Sequence, residues 1–325
     1  MGYSIPVVLI LFKRFDTLEK ILDRIRCVKP QKVYLLSDEG RNENEKNMVK
    51  KVRNFVESSI DWDCKIIKKY ATKNEGVYNN IALGAKWVFE REEKAIFLED
   101  DNLPEVTFFN FCEEMLNKYA DDNRILWICG TNYLGKYSNK SGESYMFTQH
   151  LLPCGWASWS SKFLENYDFK LETYNKKNLR KVKNTMYNKK LFNQISHWVE
   201  YEKSKYMKYG NFFSWDYHMA WSLINKEMLG ISPAFNQIKN IGVDEISTHG
   251  GSSLSQEMTR RFCGMDSYQL SFPLVHPKNV TIDQDYEKKI EKIILLPLKN
   301  RIRTNASAFL HHMLKKPLCD KILKK

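Results

Sequence analysis

The chain predicts an α/β fold built on a doubly wound, largely parallel sheet, and three observations carry that prediction. Short apolar, β-branched runs alternate with stretches of helical spacing through the first half of the sequence. The runs are apolar at successive positions, as strands covered by helices on both faces must be. Charged clusters stand at the carboxyl ends of three of them, Lys13-Arg14, Ser37-Asp38 and Glu99-Asp100-Asp101. Open α/β sheets bind their ligands at those ends, so the three clusters should line one crevice.

Ile5–Phe12 is a continuous apolar run and reads as a buried parallel strand. Asp16 stands where it can cap the next helix, in which Leu18, Ile21, Leu22 and Ile25 recur at helical spacing. Lys32–Ser37 is the second strand, followed by a helix over Asn44–Val56 and a third strand at Cys64–Ile67. Asn79–Glu90 reads as a helix on Ile81, Leu83, Ala85 and Val88, and the next strand ends in Glu99. Ile125–Cys129 predicts a further strand and Tyr145–Phe147 a short one. Leu151–Trp159, rich in Gly and Trp, reads as a turn opening into a helix near Ser160. Residues 170–208 are lysine-rich, helical and partly exposed; Phe212–Asp216 then leads into an apolar helix over Met219–Ile224. Gly230–Ala234 is a strand, and Asn236–Gly251 a polar loop containing His249.

With 325 residues, 43% hydrophobic and 13% aromatic, the chain can bury a substantial core. Its seven cysteines are scattered, and none forms a C-x-x-C pair. That argues against a disulfide framework or zinc site and for a reducing cytosol. Ile5–Phe12 lacks the basic flank and cleavage site of a secretory signal. It also falls well short of the roughly 20 residues that cross a bilayer. The net charge is +12, and residues 286–325 hold nine Lys and two Arg against three acids, a net +8. Apolar clusters at Ile293–Leu298 and Ala308–Leu310 interleave with those cations. This composition reads either as a basic amphipathic surface helix for anionic lipid or as an ordinary solvated tail. No nucleic-acid-binding module accompanies the charge, so nucleic acid is not expected as a partner.

The acidic triplet is the most informative feature. The apolar run Ala95–Leu98 stops abruptly in Glu99, Asp100 and Asp101, three like charges that repel one another unless something positive sits among them. A divalent cation shared with a substrate diphosphate suits the place, because Mg²⁺ and Mn²⁺ take one or two carboxylates plus phosphate oxygens. The plainer alternative is a solvated turn before the helix that starts near Pro104.

Arg14, Asp38, Leu98–Asp101, Gly155-Trp-Ala-Ser-Trp159, Trp215-Asp216 and the later Ile231-Ser-Pro and Ser247-Thr-His-Gly250 occur in a telling order. Over roughly residues 4–252 the chain resembles GT-A-fold glycosyltransferases related to the β-1,2-N-acetylglucosaminyltransferase of N-glycan synthesis, together with their bacterial sugar-nucleotide transferase relatives. The resemblance implies a GT-A domain over residues 1–280, with a nucleotide-binding half to about 130 and an acceptor half beyond it. Residues 281–325 would be a basic amphipathic helical extension. It implies nucleotide contacts at Arg14 and Asp38, and nucleotide and sugar contacts at Glu99 and Asp100. Mn²⁺ (or Mg²⁺) would bind Asp101, with His249 as a further metal or diphosphate contact. Gly155 would allow close backbone approach beside the donor sugar, where Trp156 or Trp159 offers an apolar face. The family's base is an Asp in a Trp-Asp-Asp stretch. Here the stretch reads Trp215-Asp216-Tyr217, so a strict register puts Tyr217 at the second position and Asp216 must act from a shifted one.

The implied function is inverting, metal-dependent transfer of N-acetylglucosamine or another hexose from a UDP-sugar to a glycan or lipid-linked hydroxyl, in bacterial surface polysaccharide synthesis. The expected location is cytoplasmic, or peripheral at the inner face of the plasma membrane. A sugar-phosphate nucleotidyltransferase is one alternative, although Phe12–Asp16 lacks the Gly-rich phosphate loop such enzymes carry. A non-catalytic basic membrane- or polyanion-binding protein is the other, and it leaves the acidic triplet without a role.

Overall fold

The computed structural model describes residues 2–244 and 253–302. Its first half alternates through β1 (Val7–Leu11), α1 (Leu18–Val28), β2 (Lys32–Ser37), α2 (Glu43–Ser59) and β3 (Lys65–Tyr70). A π-helical turn (Asn79–Leu83) runs into α3 (Gly84–Phe89), followed by β4 (Lys94–Glu99), β5 (Asn102–Pro104), α4 (Val106–Lys118) and β6 (Ile125–Cys129). Then come β7 (Tyr145–Thr148), β8 (Trp156–Trp159), α5 (Ser160–Asn166), α6 (Lys176–Thr185), α7 (Lys189–Tyr209) and α8 (Asp216–Lys226). The chain continues through β9 (Leu229–Pro233), β10 (Ile238–Asn240), α9 (Glu257–Cys263) and α10 (Gln284–Ile294).

Eight strands form one sheet in the order β3-β2-β1-β4-β8-β6-β9-β7. Six run parallel; β8, between β4 and β6, and β7 at the edge run antiparallel. The α/β class with a mostly parallel sheet flanked by helices therefore stands. β1 and β6 are buried at every position, which is why their sequences are unbroken apolar runs. One face of the sheet packs on α1, α2 and α4, the other on α3 and α5 through α8.

Three local readings change. Trp156–Trp159 is a central strand rather than part of a turn, so its side chains alternate between the two cores. Within the expected polar loop, Ile238–Asn240 pairs antiparallel with Asn102–Pro104 and braces the acidic turn from outside the main sheet. Thr17, not Asp16, occupies the position before α1, and its hydroxyl donates to the Asp100 carbonyl.

The first helix of the basic tail is part of the folded domain. α10 docks on the domain, with Tyr286 and Ile290 fully buried and the Tyr286 hydroxyl 2.6 Å from Ser232 Oγ. Glu287 accepts from Thr148 Oγ1 at 2.6 Å and from the Gln149 amide at 3.0 Å. Tyr286 and Ile290, at the start of the segment that reads from sequence either as a lipid-facing helix or as a solvated tail, thus face protein. Residues 303–325 lie outside the described residues. Among the described residues, no helix is long and apolar enough to cross a membrane.

Candidate functional site

The carboxyl ends of β1, β2 and β4 open onto a cavity of about 510 Å³. Phe12, Lys13 and Arg14 line it from β1, Asp38 from β2 and Glu99–Asp101 from β4. The 74–77 loop, the π-helical turn and Asn211–Phe213 complete the wall. The structure thus brings together Arg14, Asp38 and the acidic triplet, as the strand order predicts.

The triplet sits in a turn held from several directions. The Phe12 amide donates to Asp100 Oδ2 at 2.9 Å, Asn102 Nδ2 to Asp101 Oδ1 at 2.6 Å, and the Ile241 amide to the Asp101 carbonyl at 2.9 Å. Burial, reinforced by Asp101, pushes the Asp100 carboxyl up to about 7. Burial and the charges of Asp101, Asp100 and Asp216 push Glu99 well above the usual carboxylate range. Asp101 is raised by burial as well, against the pull of Asn240 and Arg14. Positive charge stands on the cavity wall at Lys13, Arg14 and Arg41, of which Lys13 and Arg41 pair with Glu45.

Arg14 supplies less of that charge than its place suggests. Its guanidinium is bidentate on Asp244, at 2.6 and 3.2 Å, and also donates to the Gly242 carbonyl at 2.9 Å. Arg14 therefore ties the 241–244 segment to the end of β1. Asp38 is committed too. It accepts from the amides of Glu39, Glu75 and Gly76 at 2.8, 2.8 and 2.9 Å, and from Asn74 Nδ2 at 3.0 Å. One carboxylate so shapes the 74–76 loop that walls the cavity. Both residues stand where expected, but as organisers of loops.

Gly155 and Trp156 do not line the cavity. Gly155 adopts φ 60°, and a Cβ there would meet Ile238 at 2.5 Å, so its close approach is to β10 rather than to a ligand. Trp156 is sandwiched between Phe97 at 3.9 Å and Trp127 at 4.1 Å, which covers both ring faces. Trp159 is buried on the opposite face of the sheet, its indole donating to the Leu116 carbonyl at 2.9 Å. The expected apolar platform for a sugar is therefore core, because the Trp-Ala-Ser-Trp segment is a central strand.

Asp216 opens α8 behind this core, with Trp215 packed 5.9 Å from Trp156. Ser214 Oγ donates to Asp216 Oδ1, and the negative charge of Asp216 reaches Glu99. Tyr217 instead stacks on Trp198 at 5.4 Å. Glu202 escaped the sequence reading. Buried on α7, it accepts from the amides of Phe213 and Ser214 at 2.8 and 3.1 Å, and burial pushes its carboxyl up to about 7. A carboxylate inside a helix's apolar stripe was the available signal. His249 lies outside the described residues.

His218, two residues into α8, is wholly buried against Phe212 and Tyr78. Its Nδ1 lies 2.8 Å from the Asp168 carbonyl, while Nε2 has no partner among the described residues. Burial pulls its pKa down to about 4. A depressed histidine pKa lends stability above about 6.5 that is lost as pH falls towards 4, worth at most about 3 kcal/mol. Urea unfolding of the wild type should show that loss between pH 7 and 4, and His218→Phe should flatten it.

Among the described residues, no group of three or more His, Cys, Asp or Glu side chains forms a metal cage. The acidic turn still fits a cation that arrives with a diphosphate. Such ions need only one or two protein carboxylates, and burial raises all three carboxyls, an effect that a nearby cation would oppose.

No protein-family model and no curated protein matches the chain. Among solved structures, it is similar to a mannosyltransferase of Pyrobaculum calidifontis in complex with GDP-Man and Mn²⁺, at 12% identity over 54% of this chain and 47% of that one, TM-score 0.34. It is similar to GalNAc-T7 with UDP, GalNAc and Mn²⁺ at 13% identity, over 52% of this chain and 38% of that one, TM-score 0.39. It is also similar to an apo UDP-glucose pyrophosphorylase at 9% identity, over 73% of this chain and 93% of that one, TM-score 0.39. The chain thus spans less than half the length of the first two, and neither activity nor ligand passes to it from likenesses at this level.

Proposed function

We propose that the protein is an inverting, metal-dependent glycosyltransferase that moves N-acetylglucosamine or another hexose from a UDP-sugar to a hydroxyl of a glycan or lipid-linked acceptor. Bacterial surface polysaccharide synthesis is the process it would serve. The observation that carries this reading is the half-buried acidic turn at the end of β4, opening onto a cavity that also receives Lys13, Arg14 and Arg41. Asp101, with Asp100 beside it, would hold Mn²⁺ or Mg²⁺. The cation, when bound, offsets charge building on the diphosphate as the glycosidic bond breaks. Asp216, fixed by Ser214, accepts the proton of the acceptor hydroxyl. A single base with no covalent intermediate gives inversion at the anomeric carbon. Arg14 and Asp38 hold the two loops between which the donor is aligned.

Thermal unfolding with a panel of nucleotide sugars, with and without Mn²⁺, tests the proposal, because a ligand of the native state raises its stability by mass action. A UDP-sugar should raise the midpoint only with the cation present. Asp101→Ala should abolish that rise while leaving the ligand-free midpoint within a few degrees of wild type. Equal stabilisation of the variant would reduce the triplet to a structural turn.

A further inference from the structure

Between Glu172 and Glu200 the sequence holds seven basic residues and no acidic one. This stretch folds into α6 and the first turns of α7, joined by a corner at Met186–Asn188. Val182, Met186 and Leu191 anchor the corner in the core. Lys176, Lys177, Arg180, Lys183 and Lys190 point into water, and among the described residues no carboxylate pairs with any of these five, whereas Lys181 pairs with Glu227 at 3.0 Å. At the apex Tyr187 is 87% exposed.

A second segment joins this surface from a hundred residues away. Asn188 Nδ2 donates to Glu291 Oε2 at 3.0 Å. Gln194 receives the Leu296 amide at 2.8 Å and donates to the Ile294 carbonyl at 3.0 Å. The chain leaving α10 is thereby laid against the start of α7, where Leu298 is 63% and Ile302 59% exposed beside Lys299 and Arg301. Cations without counter-charges, with an aromatic and two aliphatic side chains protruding among them, match the headgroup boundary of an anionic bilayer. Tyr suits that boundary through its apolar ring and polar tip. Nucleic acid would use the cations but not Leu298 and Ile302, since its affinity comes from phosphate contacts and base stacking.

We infer that the α6–α7 corner and the 296–302 segment together form a docking surface for anionic lipid membrane. It does not depend on the transferase reading, and it is built from the folded domain rather than from the tail alone. Sedimentation of the full chain with vesicles tests it, using phosphatidylcholine alone and phosphatidylcholine with about one third phosphatidylglycerol. The protein should sediment with the anionic vesicles only, and raised salt should release it. Each cation near such a surface is worth about fivefold, so Lys177→Gln/Arg180→Gln/Lys183→Gln should lower partitioning by roughly 100-fold. The corresponding Lys177→Arg/Lys183→Arg variant should bind as wild type. Tyr187→Ser and Leu298→Ser should each weaken binding at unchanged charge. Full binding by the triple Gln variant, or equal sedimentation with phosphatidylcholine alone, overturns the inference.

Discussion

Asp216→Asn is expected to slow sugar transfer by about 10²–10⁴-fold, the usual worth of a positioned general base. The substitution keeps the side chain's size and can still accept the bond from Ser214 Oγ. It removes the carboxylate that takes a proton. Asp216 does not line the cavity between the β1, β2 and β4 ends, so donor affinity should stay nearly unchanged. Initial rates at saturating donor, paired with a direct measurement of donor binding, separate the two effects. Transfer that survives in Asp216→Asn but disappears in Asp244→Asn would place the base on the 241–244 segment instead.

Truncation after Asp285 is expected to leave a protein without cooperative unfolding. The cut removes Tyr286 and Ile290, both fully buried, at about 2–5 kcal/mol for each large side chain. It also strips Ser232 and Thr148 of their partners on α10. Unsatisfied buried groups add about 1–3 kcal/mol apiece. The total approaches the 5–15 kcal/mol by which domains are typically stable. A soluble truncated protein with a sharp circular-dichroism melt would show that α10 is an appendage after all.

The docking of α10 marks one limit of what the sequence made legible. β1, β2, β4 and β6 could be read because strands covered on both faces are apolar throughout and need no knowledge of their partners. The acidic turn could be read because it ends such a strand. Trp156–Trp159 could not. A four-residue strand bracketed by Gly155 and a helix start carries turn residues and too little periodicity to announce itself. The role of 286–325 stayed open for a related reason, since lysines beside apolar residues describe a lipid-facing helix, a solvated one or one docked on a sheet. Arg14 and Asp38 were correctly located, but their partners were not. The bond from Arg14 to Asp244 spans 230 positions, and that from Gly76 to Asp38 spans 38. No local pattern encodes such pairings.

The π-helical turn before α3 gives the cavity a freedom that an ordinary helix would lack. Geometrically it is an α-helix with one residue inserted, and each residue turns the helix by about 100°. Asn80 and Ile81 lie in the turn and line the cavity, whereas Ala85, Val88 and Phe89 follow it and are buried in the core. Ile81 also reaches that core, so one continuous element serves the cavity wall and the core face together. Deleting a single residue between Asn79 and Leu83 would restore a uniform helix and swing the cavity-facing side chains by about 100°, with α3 left in its packing. The lining of the cavity can in this way change by insertion or deletion at one point.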